Sequence, residues 1–298
     1  MERKQNWQHI EQLLNENGIT KLYHFTDKRN IESIIRNGGL YSWGDCVDHN
    51  IKVQVPGGSE ESHSLDYYKK QQYYVRLSFV KNHPMKFIAM SDERQLQPVI
   101  LEISPEVLFW KHTKFTDQNA VKTGANISGD PNDFSKLIHF DAIKATNVYD
   151  LSEEDRSYFQ AEILVHHCLP LCYILNLDEI KRMHFPNWDF CSLPVSEQIS
   201  ITQRRAELND PISQYVLGRR YQRGDGVKKD FDLAINWYFK SASSGFIKSF
   251  YALGHLYKDK EDINNALYWF KRSIDNGDTR AYSSIAFIYL QKMPHKMQ

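Results

Sequence analysis

The sequence predicts an α+β domain followed by a short α-helical repeat array. Up to about residue 195, short β-type runs cluster between loops, whereas beyond it a block of small and aromatic residues recurs at helical spacing. Charge divides the same way: residues 1–196 carry 21 Lys and Arg against 26 Asp and Glu, and residues 197–298 carry 16 against 11. The expected organisation is a domain over 1–195, a connector over 196–206 and repeats over 207–298.

In chain order, "WQHIEQLLNENG" and "NIESIIRNGG" read as helices closed by Asn-Gly and Asn-Gly-Gly stops, with "LYHFTD" a strand and turn between them. Strands are expected at "YYVRLSFV" (73–80), "MKFIAM" (85–90), "PVILEI" (98–103), "DAIKATNVY" (141–149) and "AEILVHH" (161–167). They cluster instead of alternating with helices, which favours α+β over a doubly wound sheet. After the connector "HFPNWDFCSLPVSEQ", the stretch "AINWYFKSASSG" from Ala234 returns 32 residues later as "ALYWFKRSIDNG" from Ala266. "SQYVLGRRYQRG" and "SFYALGHLYKDK" precede the two copies, and a third copy begins at "TRAYSSIAFIYLQK". Small residues allow close helix approach and aromatics fill the groove, the pattern of an α-solenoid. The aromatic stripe is therefore read as core.

Charged residues are 25% and apolar residues 41% of the chain, values of an ordinary globular protein. No run of 18 apolar residues occurs, and the charged start "MERKQNWQHIEQ" does not suit a signal peptide, so a cytoplasmic location is expected. Cys46, Cys168, Cys172 and Cys191 are too few for a disulfide framework. "HHCLPLC" invites a zinc reading, but no second pair stands at zinc spacing, so buried thiols and no metal are expected. The acidic balance of the first 196 residues gives no bulk-charge support for nucleic-acid binding there, so any such site needs a local groove.

Neither G-x-G-x-x-G after a strand, nor a P-loop, nor G-x-S-x-G occurs, which weighs against Rossmann, P-loop and α/β-hydrolase enzymes. Four segments remain. The first holds His24, Thr26 and Asn30. The second, "YYVRLSF" with "NHPM", sets Arg76 in an apolar strand, where a guanidinium needs a partner. The third, "KFTDQNAVKTGANISGDPNDF", is a polar glycine-bearing loop with Thr116, Asp117, Asn119 and Lys122; the fourth, "RSYFQAEILVHH", has Glu162 opening an apolar strand. Each has an ordinary alternative: a strand-end histidine bonding backbone, a structural Arg76–Glu162 ion pair, a loop of turns.

In this order the four segments resemble the DarT family of ADP-ribosyltransferases, over about residues 20–177. "LYHFTDKRNIESIIRNGGLYS" is similar to the family's opening motif, and "YVRLSF....HPM", "FTDQNA" and "QAEILVHHCLPLCYI" to its later blocks. The resemblance implies the split β-sheet fold related to the poly(ADP-ribose) polymerases, which binds NAD without a Rossmann domain. It also implies a toxin that modifies a base of single-stranded DNA, often beside an antitoxin macrodomain. The last third resembles SEL-one-like repeats, relatives of tetratricopeptide repeats, which bind protein partners.

ADP-ribose transfer breaks the nicotinamide–ribose bond through an oxocarbenium-like transition state, which a carboxylate stabilises. By resemblance that carboxylate is Glu162, with Arg76 as the arginine for pyrophosphate or transfer and Arg94 next in line. His24, Thr26 and Asn30 are the expected NAD contacts, and Asp117, Asn119 and Lys122 the expected substrate contacts. Lys69 and Lys70 beside Tyr67, Tyr68, Tyr73 and Tyr74 offer charge and stacking, or only a solvated face. Open alternatives are an RNA or protein acceptor, and an inactive transferase-like protein that works through its repeats.

Overall fold

In the computed structural model, residues 2–92, 96–184 and 190–292 are described. The chain divides into two units, Met1–Trp188 and Asp189–Gln298.

The first unit opens with helix α1 (Trp7–Glu16), strand β1 (Leu22–Asp27), helix α2 (Ile31–Asn37) and strand β2 (Gly39–Tyr41). The tight turn between β1 and α2 is held by Asp27, fully buried, whose carboxylate accepts from the Arg29 backbone (2.8 Å), the Arg29 guanidinium and the Gln97 amide (2.7 Å). The Arg29 side chain, more than burial opposes it, holds the Asp27 pKa down at about 2. Gly38 ends α2 at φ 82, a left-handed position that costs glycine nothing. Gly38 thus terminates the helix, whereas Gly39 opens β2, where a Cβ would stand 2.6 Å from Cys168 Sγ and 2.8 Å from the Leu169 carbonyl oxygen.

Helices α3 (Trp43–Asp48) and α4 (Glu60–Tyr68) follow, then β3 (Tyr74–Ser78), α5 (Pro84–Ser91), β4 (Pro98–Ile103), β5 (Lys114–Thr116) and β6 (Ile127–Ser128). Short helices α6 (Phe134–Leu137) and α7 (Phe140–Lys144) lead to β7 (Glu162–His166), β8 (Cys168–Pro170) and α8 (Leu177–His184). Six strands form one sheet in the order β4-β1-β3-β7-β5-β6 with every pairing antiparallel, and β2 pairs with β8 in a second. This is the expected α+β, split-sheet arrangement. Leu22, Leu77, Leu101, Ile103 and Ile163, all at most 1% exposed, join Ile10 of α1 and Ile31 and Ile35 of α2 in one core. Each such side chain contributes roughly 1.5–3 kcal/mol through burial.

Two expected strands are helical. "MKFIAM" lies in α5, because His83 caps it with Nδ1 on the Met85 amide (3.3 Å) and Pro84 occupies the first turn, both helix starters. "DAIKATNVY" is split between α7 and a turn over Val148–Asp150 capped by Asn147; only Ala142 and Ile143 are buried, too few to line a central strand.

The second unit consists of α9 (Val195–Glu207), α10 (Pro211–Arg223), α11 (Phe231–Ser243), α12 (Ile247–Asp259), α13 (Ile263–Asp275) and α14 (Ala281–Lys292). Gly218 faces the Tyr238 ring and Gly254 the Phe270 ring so closely that a Cβ would stand 2.7 and 2.5 Å away. Tyr238 and Phe270 form the buried core of the stripe, whereas Trp237 and Trp269 are only partly buried. No helix among the described residues is long and apolar enough to cross a membrane.

Candidate active site

A cavity of about 250 Å³ opens in the first unit against β1, β3 and the start of β7. Its lining includes His24, Thr26, Asn30, Arg76, Asn119 and Glu162, six of the eight sequence-expected site residues. Asp117 and Lys122 are not in the lining. The Asp117 carboxylate instead accepts from the backbone and side-chain amides of Asn126 (3.0 and 2.7 Å), pinching its own loop shut. Lys122 is exposed.

Glu162 is 5% exposed although it carries a carboxylate, so its environment must supply donors. Two do: Arg76 Nη1 donates to Oε2 at 2.7 Å and the Ala120 amide at 2.9 Å. Its own amide donates to Thr116 Oγ1 at 3.0 Å, which fixes the first residue of β7 against β5. Ser78 stands directly across from Glu162 and Arg76 from Leu164, so the acid and the arginine share one face of neighbouring strands.

The other arm of the Arg76 fork is held by Asp66 of α4 and by Gln71 Oε1 at 2.9 Å. Burial works against the charge on Arg76, but Glu162 and Asp66 outweigh it and the guanidinium pKa rises. The fork therefore aims Glu162 and ties α4 to the sheet. Lys69 extends the tie: its ammonium donates to the carbonyls of Val121 (2.7 Å) and Lys122 (3.1 Å), so it closes the glycine loop onto α4. Tyr68, 84% exposed, makes no core contribution.

His24 Nδ1 lies 2.9 Å from the Arg76 carbonyl. A carbonyl only accepts, so the ring carries its proton on Nδ1 and leaves Nε2 as an acceptor. Burial pushes the His24 pKa below the usual histidine range, opposed by that carbonyl, so the ring is neutral at neutral pH. Thr26 Oγ1 accepts from Asn30 Nδ2 at 3.3 Å. Asn30 spends the rest of its amide on the backbone of Gln54 and Val55 (2.7–3.1 Å), so it ties that segment beside the cavity. Asn119 Oδ1 accepts from the Val121 amide at 3.1 Å.

Several lining residues carry no sequence signal of their own. Asp66 sits in an ordinary polar helix, and His83 stands in the noted "NHPM" without being singled out. Burial lowers the His83 pKa, with the Glu162 carboxylate and the Gln160 backbone opposing and Arg76 assisting. Trp43 and His63, with ring centroids 4.0 Å apart, form an aromatic wall. Arg94 lies outside the described residues. Of the thiols, Cys46 and Cys168 are buried as expected, whereas Cys172 and Cys191 are exposed.

The family model described as "ssDNA thymidine ADP-ribosyltransferase, DarT" matches residues 23–182, and the Sel1 repeat model matches 211–246 and 250–278. Among solved structures, DarT of Thermus sp. 2.9 in complex with ADP-ribosylated ssDNA is 18% identical, with TM-score 0.44, covering 57% of this chain and 88% of that one. The same protein in complex with NAD+ is 21% identical, with TM-score 0.42, covering 57% and 92%. A Sel1 repeat protein from Oxalobacter formigenes is 25% identical, with TM-score 0.29, covering 30% and 28%. No curated protein matches.

Proposed function

This chain belongs to the DarT family and is an NAD-dependent ADP-ribosyltransferase, and we propose that it transfers ADP-ribose to a thymidine base of single-stranded DNA. The observation that carries the reading is Glu162, a buried carboxylate at a cavity wall, aimed by Arg76 and the Ala120 amide. NAD supplies an activated ribose with nicotinamide as leaving group. Glu162 holds a ribose hydroxyl and stabilises the cationic sugar as the glycosidic bond breaks, then takes the proton released by the attacking base nitrogen. Arg76 keeps the carboxylate in register, and Asp66 and Gln71 keep Arg76 there. His24 Nε2 accepts from a hydroxyl or carboxamide of the dinucleotide beside Thr26, and Asn30 with Asn119 frames that end of the cavity. Extrusion of the base is cheapest from a strand that is already single.

In the cell this activity makes the chain a toxin or phage-defence effector, held in check by an antitoxin macrodomain that removes the mark. The repeats are the expected contact for that or another protein partner.

Incubation with labelled NAD and, separately, single-stranded DNA, duplex DNA, RNA and cell extract tests the reading. Label is expected in single-stranded DNA alone, and Glu162→Gln should lower it by at least about 10²–10³-fold, the scale of removing one transition-state electrostatic contact. Label confined to RNA or protein would move the acceptor. No label anywhere, with no nicotinamide released, would sink the enzymatic reading.

A further inference from the structure

The sheet face that carries Glu162 does not end at the cavity. Along β7, Glu162, Leu164 and His166 point the same way, and across from them stand Ser78, Arg76 and Tyr74 of β3, with Lys114 of β5 opposite Leu164. At about 3.3 Å per residue, His166 lies roughly 13 Å beyond Glu162 on that face. Tyr74 belongs to both regions, lining the cavity and packing its ring 5.0 Å from that of His166.

Past the cavity, rings and a lysine gather. His167 sits at φ 63, a left-handed backbone rare outside glycine, which breaks strand alternation and brings its ring to 3.9 Å from His166 instead of the opposite face. Asp45, buried in α3, holds His167 Nδ1 at 3.0 Å, and the backbone amide donates to the Tyr73 carbonyl at 2.7 Å. Nε2 of His167 is the ring atom left for a ligand, on a side chain 54% exposed. The His112 ring lies 6.1 Å from His166, the Tyr73 ring 5.6 Å from His167, and Lys114 Nζ 5.4 Å from the Tyr74 ring. His112, Lys114 and His167 are exposed. The nearby acids are engaged: Asp45 with His167, and Asp48 with the Tyr73 hydroxyl at 2.8 Å. Among the described residues no three His, Cys, Asp or Glu side chains are placed to hold a metal ion.

Five rings with a lysine, joined to the cavity through Tyr74, suit a strand of unpaired bases: flat faces stack on bases of any sequence while the ammonium meets a phosphate. We propose that His112, Lys114, His166 and His167, with Tyr73 and Tyr74, form the surface on which the single-stranded DNA flanking the target base lies. The inference rests on the single-stranded DNA reading above. Burial lowers the His166 pKa, as do His167, His112 and Lys114, with Asp45 opposing. Its ring therefore acts by stacking, and Lys114 supplies the salt-sensitive part.

The test is fluorescence anisotropy with labelled single-stranded DNA, RNA and duplex DNA, on the full chain carrying Glu162→Gln to prevent turnover. Adding His112→Ala with Lys114→Ala should raise the Kd for single-stranded DNA about tenfold or more and reduce the salt slope by about one ion. His167→Asn, a residue that tolerates the left-handed backbone, should weaken binding alone. In chains with Glu162 intact, these changes should leave DNA-independent nicotinamide release within about twofold. Unchanged Kd and slope in folded variants would overturn the surface even if the parent chain labels DNA. Tighter binding of RNA or duplex than of single-stranded DNA would overturn the choice of occupant. Failure of the parent chain to label DNA would overturn the functional reading, and the anisotropy would still decide the surface.

Discussion

At the scale of single residues, the site is built from charges that a core tolerates only in company. His24, Arg76 and Glu162 were singled out in the sequence as a polar or charged residue in or beside an apolar run, but it was the resemblance of the four segments together that gave them roles; His24 lies within β1 and does not end it. Asp66, Gln71 and Ala120, which aim them, were not singled out, because nothing in a helix or loop sequence marks the residue that reaches another strand. The neutral state of His24 leads to a pH prediction. With its pKa below the usual value, the folded chain binds fewer protons than the unfolded one just under pH 6.5, so both stability and the Nε2 acceptor decline as pH falls. Protonation would also set a positive charge beside a cationic sugar. kcat/KM for nicotinamide release should therefore be flat from pH 8 to about 6.5 and fall toward about tenfold per pH unit once His24 titrates. The His24→Gln variant should be slower at pH 7 and lack that limb; a His24→Gln profile that keeps the wild-type acid limb would remove His24 from the site.

At the scale of elements, periodicity identified what was long or strongly patterned. The helices α1 and α2, the strands β1, β3, β4 and β7 and the helices α10–α14 were read from sequence, as was Gly38 as a helix end, whereas α9 occupies the stretch expected to be a connector and Gly39 opens β2. β2, β5, β6 and β8, of three residues or fewer, leave no period to read. At "MKFIAM" apolar composition alone suggests a strand, and the preceding His83-Pro84 start makes it a helix. The repeats make a test of close packing. Gly218→Ala gains about 1 kcal/mol of helix propensity, but its Cβ would stand 2.7 Å from a ring that cannot yield easily, since Tyr238 is 1% exposed with its hydroxyl on Gln222 at 2.7 Å. Overpacking of about 1–3 kcal/mol should win, and Gly254→Ala against Phe270 should do the same. Gly245→Ala, with open space but φ 81, should cost about 1 kcal/mol from backbone alone. Urea denaturation of the full chain followed at the tryptophans measures all three; a stabilised Gly218→Ala chain would refute the packing account.

At the scale of the molecule, catalysis and repeats fall into separate units, each with its own core. Every residue proposed for the chemistry lies between His24 and Glu162, within Met1–Trp188, and their hydrogen-bond partners lie there too. A unit of that length buries about 70% of the surface its unfolded chain exposes, enough for a core to stand alone. The fragment 1–188 should therefore fold, release nicotinamide from NAD and label single-stranded DNA with kcat/KM within about twofold of the full chain. Its effect in cells should diverge, because the repeats are proposed to contact a partner and not the dinucleotide. If the partner is the antitoxin, the fragment should arrest growth even when the antitoxin is supplied. If the repeats deliver the enzyme to its DNA, it should lose the growth effect while keeping activity in the test tube. A fragment that is folded by circular dichroism yet more than about tenfold slower on NAD would show that the repeats complete the site, and would overturn this division of labour.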